Sequence, residues 1–265
     1  MNRILTRDGV RLACHDRGGD GPAVLLLHGL AGHSGEWDAV ASRLSPRHRV
    51  ITLDQRGHGA SERRPADVSR AAYIADVVAV IDQLALGRVS LVGQSYGAHA
   101  AMLTAAAHPE LVEALVLVEA GPAATTPETV AEIGSWFASW PVPFASWEAA
   151  VEFLGGGPVG EGWAAGLERR DDGWWPRFDA DVMVASLAEN TGRGWWPEWS
   201  AIACPTLAVL AQETIIDEQQ LAEMLRLRPN TEVVSVPGTT HDLHLERPGE
   251  LAELVEGFLG AAVKA

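Results

Sequence analysis

Short apolar runs recur along the chain at Ala23 to Leu27, Arg49 to Leu53, Val89 to Val92, Ala114 to Val118, Pro205 to Leu210 and Thr231 to Val236. Each has the length of a strand and is bounded by polar or turn-forming residues. Between most of them the spacing turns helical, over Ala66 to Leu86, Tyr96 to Ala107, Asp217 to Leu227 and Pro248 to Leu259, with Pro109 stopping the second of these. Alternating strands and helices predict an α/β fold with a mostly parallel, doubly wound sheet covered on both faces. Ligands bind such sheets beyond the carboxyl ends of the strands.

The alternation breaks between Gly121 and Ser200. This stretch carries several prolines, the run Gly155-Gly156-Gly157 and nine of the chain's 10 tryptophans, and no convincing strand can be read in it. It reads as an inserted helical cap, residues 121–200, on a core domain built from residues 1–120 and 201–265. At 265 residues and 47% hydrophobic the chain suits one large core with an insertion better than two equal domains.

A net charge of -15 repels phosphate backbones and anionic lipid, so neither nucleic acid nor a membrane is an expected partner. Residues 1–10 lack the apolar stretch of a signal peptide, and no run of about 18 apolar residues offers a membrane span. A cytoplasmic protein is expected, and a homodimer is compatible with the sequence without being required by it. Cys14 and Cys204 sit in or beside apolar segments without metal-ligand spacing and read as inert core thiols. No metal or cofactor site is expected.

The most telling segment is Leu91-Val92-Gly93-Gln94-Ser95-Tyr96-Gly97, where an apolar strand runs into Gly-x-Ser-x-Gly and then a small-residue helix. That is the form of a nucleophile elbow, in which flanking glycines permit a sharp turn and lift the serine hydroxyl above the sheet edge. A serine hydroxyl needs a base, and the base needs an orienting group. Among nine histidines, His15, His48 and His108 read as surface groups. His241 instead follows the last strand, which places it at the same sheet edge as Ser95, with His244 nearby as a support or a spectator.

With these residues in place the chain resembles the α/β-hydrolase superfamily over essentially its whole length outside the insertion. His28-Gly29-Leu30 is similar to the family's oxyanion loop, the stretch from Asp54 through Gly57-His58-Gly59 to Ser61 to its structural loop, and Gly238 to Pro248 to its histidine segment. The resemblance implies an α/β-hydrolase fold, and it implies that the backbone amides of Leu30 and Tyr96 meet the charge developing on an attacked carbonyl oxygen. His28 and His58 then organise loops rather than perform chemistry.

The acid departs from the commonest family pattern, because Thr214 stands where many relatives carry Asp. Glu119, at the end of the Ala114 to Val118 strand, is one candidate, similar in placement to the acid of zearalenone lactonases. Glu213, in the usual loop, is its alternative, and Asp217 a third. Serine at the elbow also separates the chain from relatives that attack with Asp and favours acyl transfer.

Tryptophans of the insertion supply apolar walls for a bulky or ring-containing substrate. Trp174 and Trp175, in a stretch that reads as a loop, are the first candidates, Trp195 and Trp196 the second, and His33 of the oxyanion loop a further one. The reading is a cofactor-free serine hydrolase of a small-molecule hydrophobic ester or lactone, with aromatic or macrocyclic groups admitted. Hydrolysis of a diketone carbon–carbon bond, amide hydrolysis and perhydrolysis would reuse the same residues, and a non-catalytic hydrolase-like receptor is the rival from another class.

Overall fold

The structure, a computed structural model, describes residues 2–262. The chain opens with an antiparallel hairpin, β1 (Asn2–Arg7) and β2 (Val10–Asp16), turned at Asp8-Gly9, where both residues have positive φ. Neither strand stood out in the sequence, since β1 is an edge strand with a single buried side chain, Leu5. There follow β3 (Ala23–Leu27), a short 3-10 turn (Ser34–Trp37) running into α1 (Asp38–Leu44), β4 (Arg49–Asp54), α2 (Arg70–Gln83), β5 (Val89–Gln94), α3 (Ser95–Ala107) and β6 (Val112–Val118).

Residues 121–200 contribute α4 (Pro127–Ala138), α5 (Trp147–Phe153), α6 (Gly157–Ala165), the hairpin β7 (Leu167–Arg170) and β8 (Gly173–Pro176), then α7 (Ala180–Ala188) and α8 (Trp196–Ala201). The chain closes with β9 (Thr206–Ala211), α9 (Glu218–Leu227), β10 (Glu232–Val236), α10 (Leu243–Glu246) and α11 (Pro248–Ala262).

Eight strands form one sheet in the order β1-β2-β4-β3-β5-β6-β9-β10. From β4 to β10 all neighbours are parallel, while β2 is antiparallel to both of its partners. The apolar runs are continuous because the central strands are buried on both faces. Along β3, Leu25 and Leu27 pack with Tyr73, Val77 and Ile81 of α2 on one side, while Val24 and Leu26 meet Trp37, Leu44 and Val255 on the other. Each fully buried leucine contributes about 1.5–3 kcal/mol, so the two layers hold the strand ends, and the loops on them, in fixed positions.

Two boundaries differ from the sequence reading. The helix expected from Ala66 begins at Arg70, because the Ser69 side chain accepts a 3.2 Å hydrogen bond from the Ala72 amide and caps it there. Residues 121–200 do contain strands: β7 and β8 are only four residues each, too short and too polar on β7 to give a period-two signal. His48, read as a surface group, is buried beside Glu256 of α11. Cys14 and Cys204 are both buried, and burial pushes the Cys14 thiol up to about 12. Among the described residues no helix is long and apolar enough to cross a membrane.

Candidate active site

β5 ends at Gln94 and α3 begins at Ser95, whose φ of 49° is the left-handed value of a tight strand-to-helix turn. The flanking glycines are required by contact. A Cβ on Gly93 would lie 2.4 Å from the amide nitrogen of Ala98, and one on Gly97 2.3 Å from the carbonyl oxygen of His28. The turn therefore holds its serine in a strained conformation costing about 1–3 kcal/mol, with close packing on both sides to enforce it.

The loops facing Ser95 are set by two neutral histidines. His28 Nε2 accepts from the Gln55 amide (3.0 Å), so its Nδ1 carries the hydrogen donated to the Gly29 carbonyl (2.7 Å). His58 Nε2 accepts from the Ala31 amide (3.0 Å), and its Nδ1 donates to the Arg56 carbonyl (2.8 Å). Burial, then the neighbouring His58, pushes His28 down to about 3, and burial pushes His58 down to about 4. Asp54, ending β4, ties the two loops together by accepting from the amides of Ser34 (2.7 Å) and Ala60 (2.9 Å). Leu30 and Tyr96 are thereby brought to the same cavity as Ser95. Tyr96 lies in the first turn of α3, where amides have no partner within the helix.

Glu119 directly follows β6, has a φ of 54° and a side chain that is 0% exposed. Its Oε1 accepts from the Ala211 amide (2.7 Å), while Oε2 accepts from the Ile215 amide (3.1 Å) and lies 3.4 Å from Nδ1 of His241. Burial raises its pKa. The hydrogen bonds from His241, the Ala211 amide, the Thr214 side chain and the Ile215 amide outweigh that cost and hold the carboxyl below its usual range. The loop after β9 therefore supplies donors to an acid that comes from β6. Glu213 in that loop is exposed, and its amide bonds to the Thr239 carbonyl (3.1 Å). Asp217 is occupied in capping α9 through the Gln220 amide (2.7 Å).

Ser95, Glu119 and His241 all line one cavity of about 640 Å³, a volume suited to a small-molecule ligand. Its apolar wall comes from both sides of the molecule and includes Ile133, Trp136, Phe137, Trp163, Leu187 and Ile216. The tryptophans singled out from the sequence are elsewhere. Trp174 lies on β8, pairing through its backbone with Phe144 and packing on Trp147 at 5.3 Å. Trp175 donates to Asp172 (2.9 Å) at the surface, with Arg170 over its ring. Trp195 packs edge-on to His99 and carries Arg193 on its face, and Trp196 starts α8. His33 caps the turn before α1 and contacts the Gly162 carbonyl (3.0 Å). None of these five side chains is among those lining the cavity.

The sequence reading passed over Glu36, His99 and Asn190, all on the cavity wall, whereas Trp136 and Trp163, which it counted among the wall-forming tryptophans without singling them out, do line the cavity. His99 carried a signal, since it stands four residues after Ser95 and hence on the same helix face. Asn190 and Glu36 carried none, because their place depends on long-range packing.

Residues 22–248 match the family described as alpha/beta hydrolase fold. The chain belongs to that family. This α/β hydrolase is 29% identical over 250 residues to the 2-(acetamidomethylene)succinate hydrolase of Mesorhizobium japonicum, covering 92% of this chain and 90% of that one. It is also 29% identical over 256 residues to the mouse sn-1-specific diacylglycerol lipase ABHD11, covering 90% and 81%. Among solved structures, E-2-(acetamidomethylene)succinate hydrolase superposes with a TM-score of 0.90 at 25% identity, covering 98% of this chain and 99% of that one. The enol-lactonase of Burkholderia xenovorans LB400 shares the fold at a TM-score of 0.81 and 20% identity, covering 97% and 100%. Family and relatives together support a hydrolase.

One acidic group of the hydrolase lies in the cavity wall without taking part in the Glu119 cluster. Glu36, in the turn before α1, is buried with its Oε2 3.4 Å from Nε2 of His244. Burial pushes its carboxyl up to about 8, Asp242 adding to the effect, and burial pushes His244 down to about 4. The pair is therefore uncharged near neutral pH.

Proposed function

We propose that this chain is a serine hydrolase that cleaves a carboxylic ester or lactone with a hydrophobic group, through an acyl-enzyme on Ser95. The observation that carries the reading is the 3.4 Å approach of Glu119 Oε2 to His241 Nδ1 beside the cavity that Ser95 lines. In this mechanism Ser95 Oγ attacks the carbonyl carbon and His241 takes the serine proton through Nε2. Glu119 fixes the imidazole tautomer and stabilises its cationic form. The amides of Leu30 and Tyr96 meet the oxyanion, a contribution of about 2.7–4 kcal/mol for one such donor. His241 then returns the proton to the leaving alkoxide, and water attacks the acyl-enzyme to release the acid and regenerate the serine.

The cavity wall favours an uncharged substrate. No Lys or Arg lines it among the described residues, and its apolar side chains come from six or more positions. A succinate, the substrate class in the name of the first relative, carries two carboxylates and would find no cation on this wall. Carbon–carbon and amide hydrolysis reuse the same three residues, and the 29% identical relative is an argument for keeping them in the assay.

A fluorophosphonate should label Ser95 covalently, and the protein should turn over short-chain aryl esters. Ser95→Ala should abolish both while the melting temperature stays within a few degrees. Turnover that survives the substitution, or a protein that binds esters but neither reacts with the probe nor releases product, overturns the proposal.

A further inference from the structure

His99 lies on α3 four residues after Ser95, one helical turn further along, or about 6 Å of rise. It lines the cavity, its ring is buried, and neither ring nitrogen has a hydrogen-bond partner among the described residues. Asn190, just past the end of α7, lines the same cavity, is buried, and has an unpartnered Oδ1. The two segments are tied to each other, because Tyr96 Oη donates to the Ser186 carbonyl (3.2 Å). His99 is three residues beyond Tyr96, and Asn190 four beyond Ser186. Buried polar groups in folded proteins are almost always paired, so this pair, on a wall that also carries the unpaired Oε1 of Glu36, calls for a ligand that pairs it.

Their chemistry defines that ligand. Burial, then the charge of Arg70, pushes His99 down to about 3, so the imidazole is neutral and offers one donor and one acceptor. Asn190 offers its carbonyl, or its NH₂ if the amide is turned over. Arg70 stacks on Tyr96 at 3.8 Å and Tyr73 at 4.5 Å and is not a wall residue, so its field adds to burial in keeping His99 unprotonated without presenting a cation to the ligand. A neutral group that both donates and accepts satisfies this pair, and a hydroxyl does both.

The geometry points to a hydroxyl-recognising subsite formed by His99 and Asn190, so that the substrate carries, besides its apolar part, a hydroxyl group about one helical turn from the scissile carbonyl. The word substrate rests on the hydrolase reading above. The subsite as a binding site does not.

The test measures binding and turnover separately. Calorimetry on Ser95→Ala protein would compare an aryl hexanoate with its ω-hydroxy and ω-carboxy counterparts, and phenyl acetate with its para-hydroxymethyl derivative, covering both sides of the ester. In at least one pair the hydroxylated member should bind about tenfold more tightly or better, the size of one satisfied buried hydrogen bond. Adding His99→Phe, which keeps a ring against Trp195, or Asn190→Leu should remove that preference. In protein with Ser95 intact, kcat/KM should show the same preference and the same loss. No preference in either pair, a preference that survives both substitutions, or a stronger preference for the carboxylate would overturn the subsite. A binding preference without turnover of any ester would keep the subsite and overturn the hydrolase reading.

Discussion

Nε2 of Gln94 donates a 3.0 Å hydrogen bond to the main-chain carbonyl of His241. The other end of the same amide faces the oxyanion loop, where a Cβ on Gly29 would lie 2.2 Å from Gln94 Oε1. One side chain, adjacent to Ser95 in sequence, thus lies between the two loops whose separation from the serine, on the proposed mechanism, decides whether attack and charge stabilisation occur together. Misplacement by about 1 Å costs on the order of a hundredfold in rate.

Gln94→Leu, which keeps the volume and removes both polar ends, should therefore lower kcat about a hundredfold. KM should stay within about threefold, and fluorophosphonate labelling should slow in parallel with kcat. A lower melting temperature with unchanged kcat would assign Gln94 to the scaffold alone.

The acid is tested by a pair of substitutions. Glu119→Gln keeps the shape but removes the charge that orients His241, and losses of about ten thousandfold in kcat accompany such a change in a serine triad. Glu213→Gln alters an exposed side chain and should leave kcat within about twofold. Steady-state kinetics on an aryl ester would decide it, and the reverse order of effects would move the acid to the loop after β9.

Much of this was legible in the chain. The elbow, the central strands and His241 announced themselves because each depends on local pattern: a glycine at each side of Ser95, continuous apolar runs, and a loop position after the last strand. Glu119 could be put first, with Glu213 kept as its alternative, but no further, since the choice depends on which carboxylate the amides of Ala211 and Ile215 point at, a fact of tertiary structure. The choice among the tryptophans, Trp174 and Trp175 ahead of Trp136 and Trp163, differs from the cavity lining for a related reason. Loop-like flanks around Trp174 said nothing about which face of the β7-β8 hairpin turned toward the cavity, and a stretch of four residues gives too little periodicity to tell.

Glu36 gives stability a pH dependence with a definite sign. Its carboxyl titrates at an ordinary 4.5 when exposed and at about 8 when buried in the fold. Between those values the unfolded chain has released a proton that the folded chain retains, so stability is full below about 4.5 and is lost as pH rises through about 8. Glu36→Gln keeps a neutral group of the same shape and should remove this slope. Melting temperatures from pH 5 to pH 8 would then fall less in the variant than in the parent, and parallel curves would show that the group is ionised in the fold.

Trp163 and Trp174 separate the cavity from the frame around it. Trp163 lines the cavity and donates to Asp242 Oδ2 (3.3 Å), next to His241 in sequence, whereas Trp174 packs on Trp147 away from it. Trp163→Ala should change the ratio of kcat/KM for bulky over small aryl esters by about tenfold, as expected when roughly 1–3 kcal/mol of apolar contact with one substrate group is removed. Trp174→Ala should leave that ratio within about twofold and instead lower stability by about 3 kcal/mol, the low end for removing a tryptophan that is only partly buried. Equal effects of the two on the ratio would mean that the hairpin moves with the cavity wall, and denaturant melts run beside the kinetics would distinguish this from simple loss of folded protein.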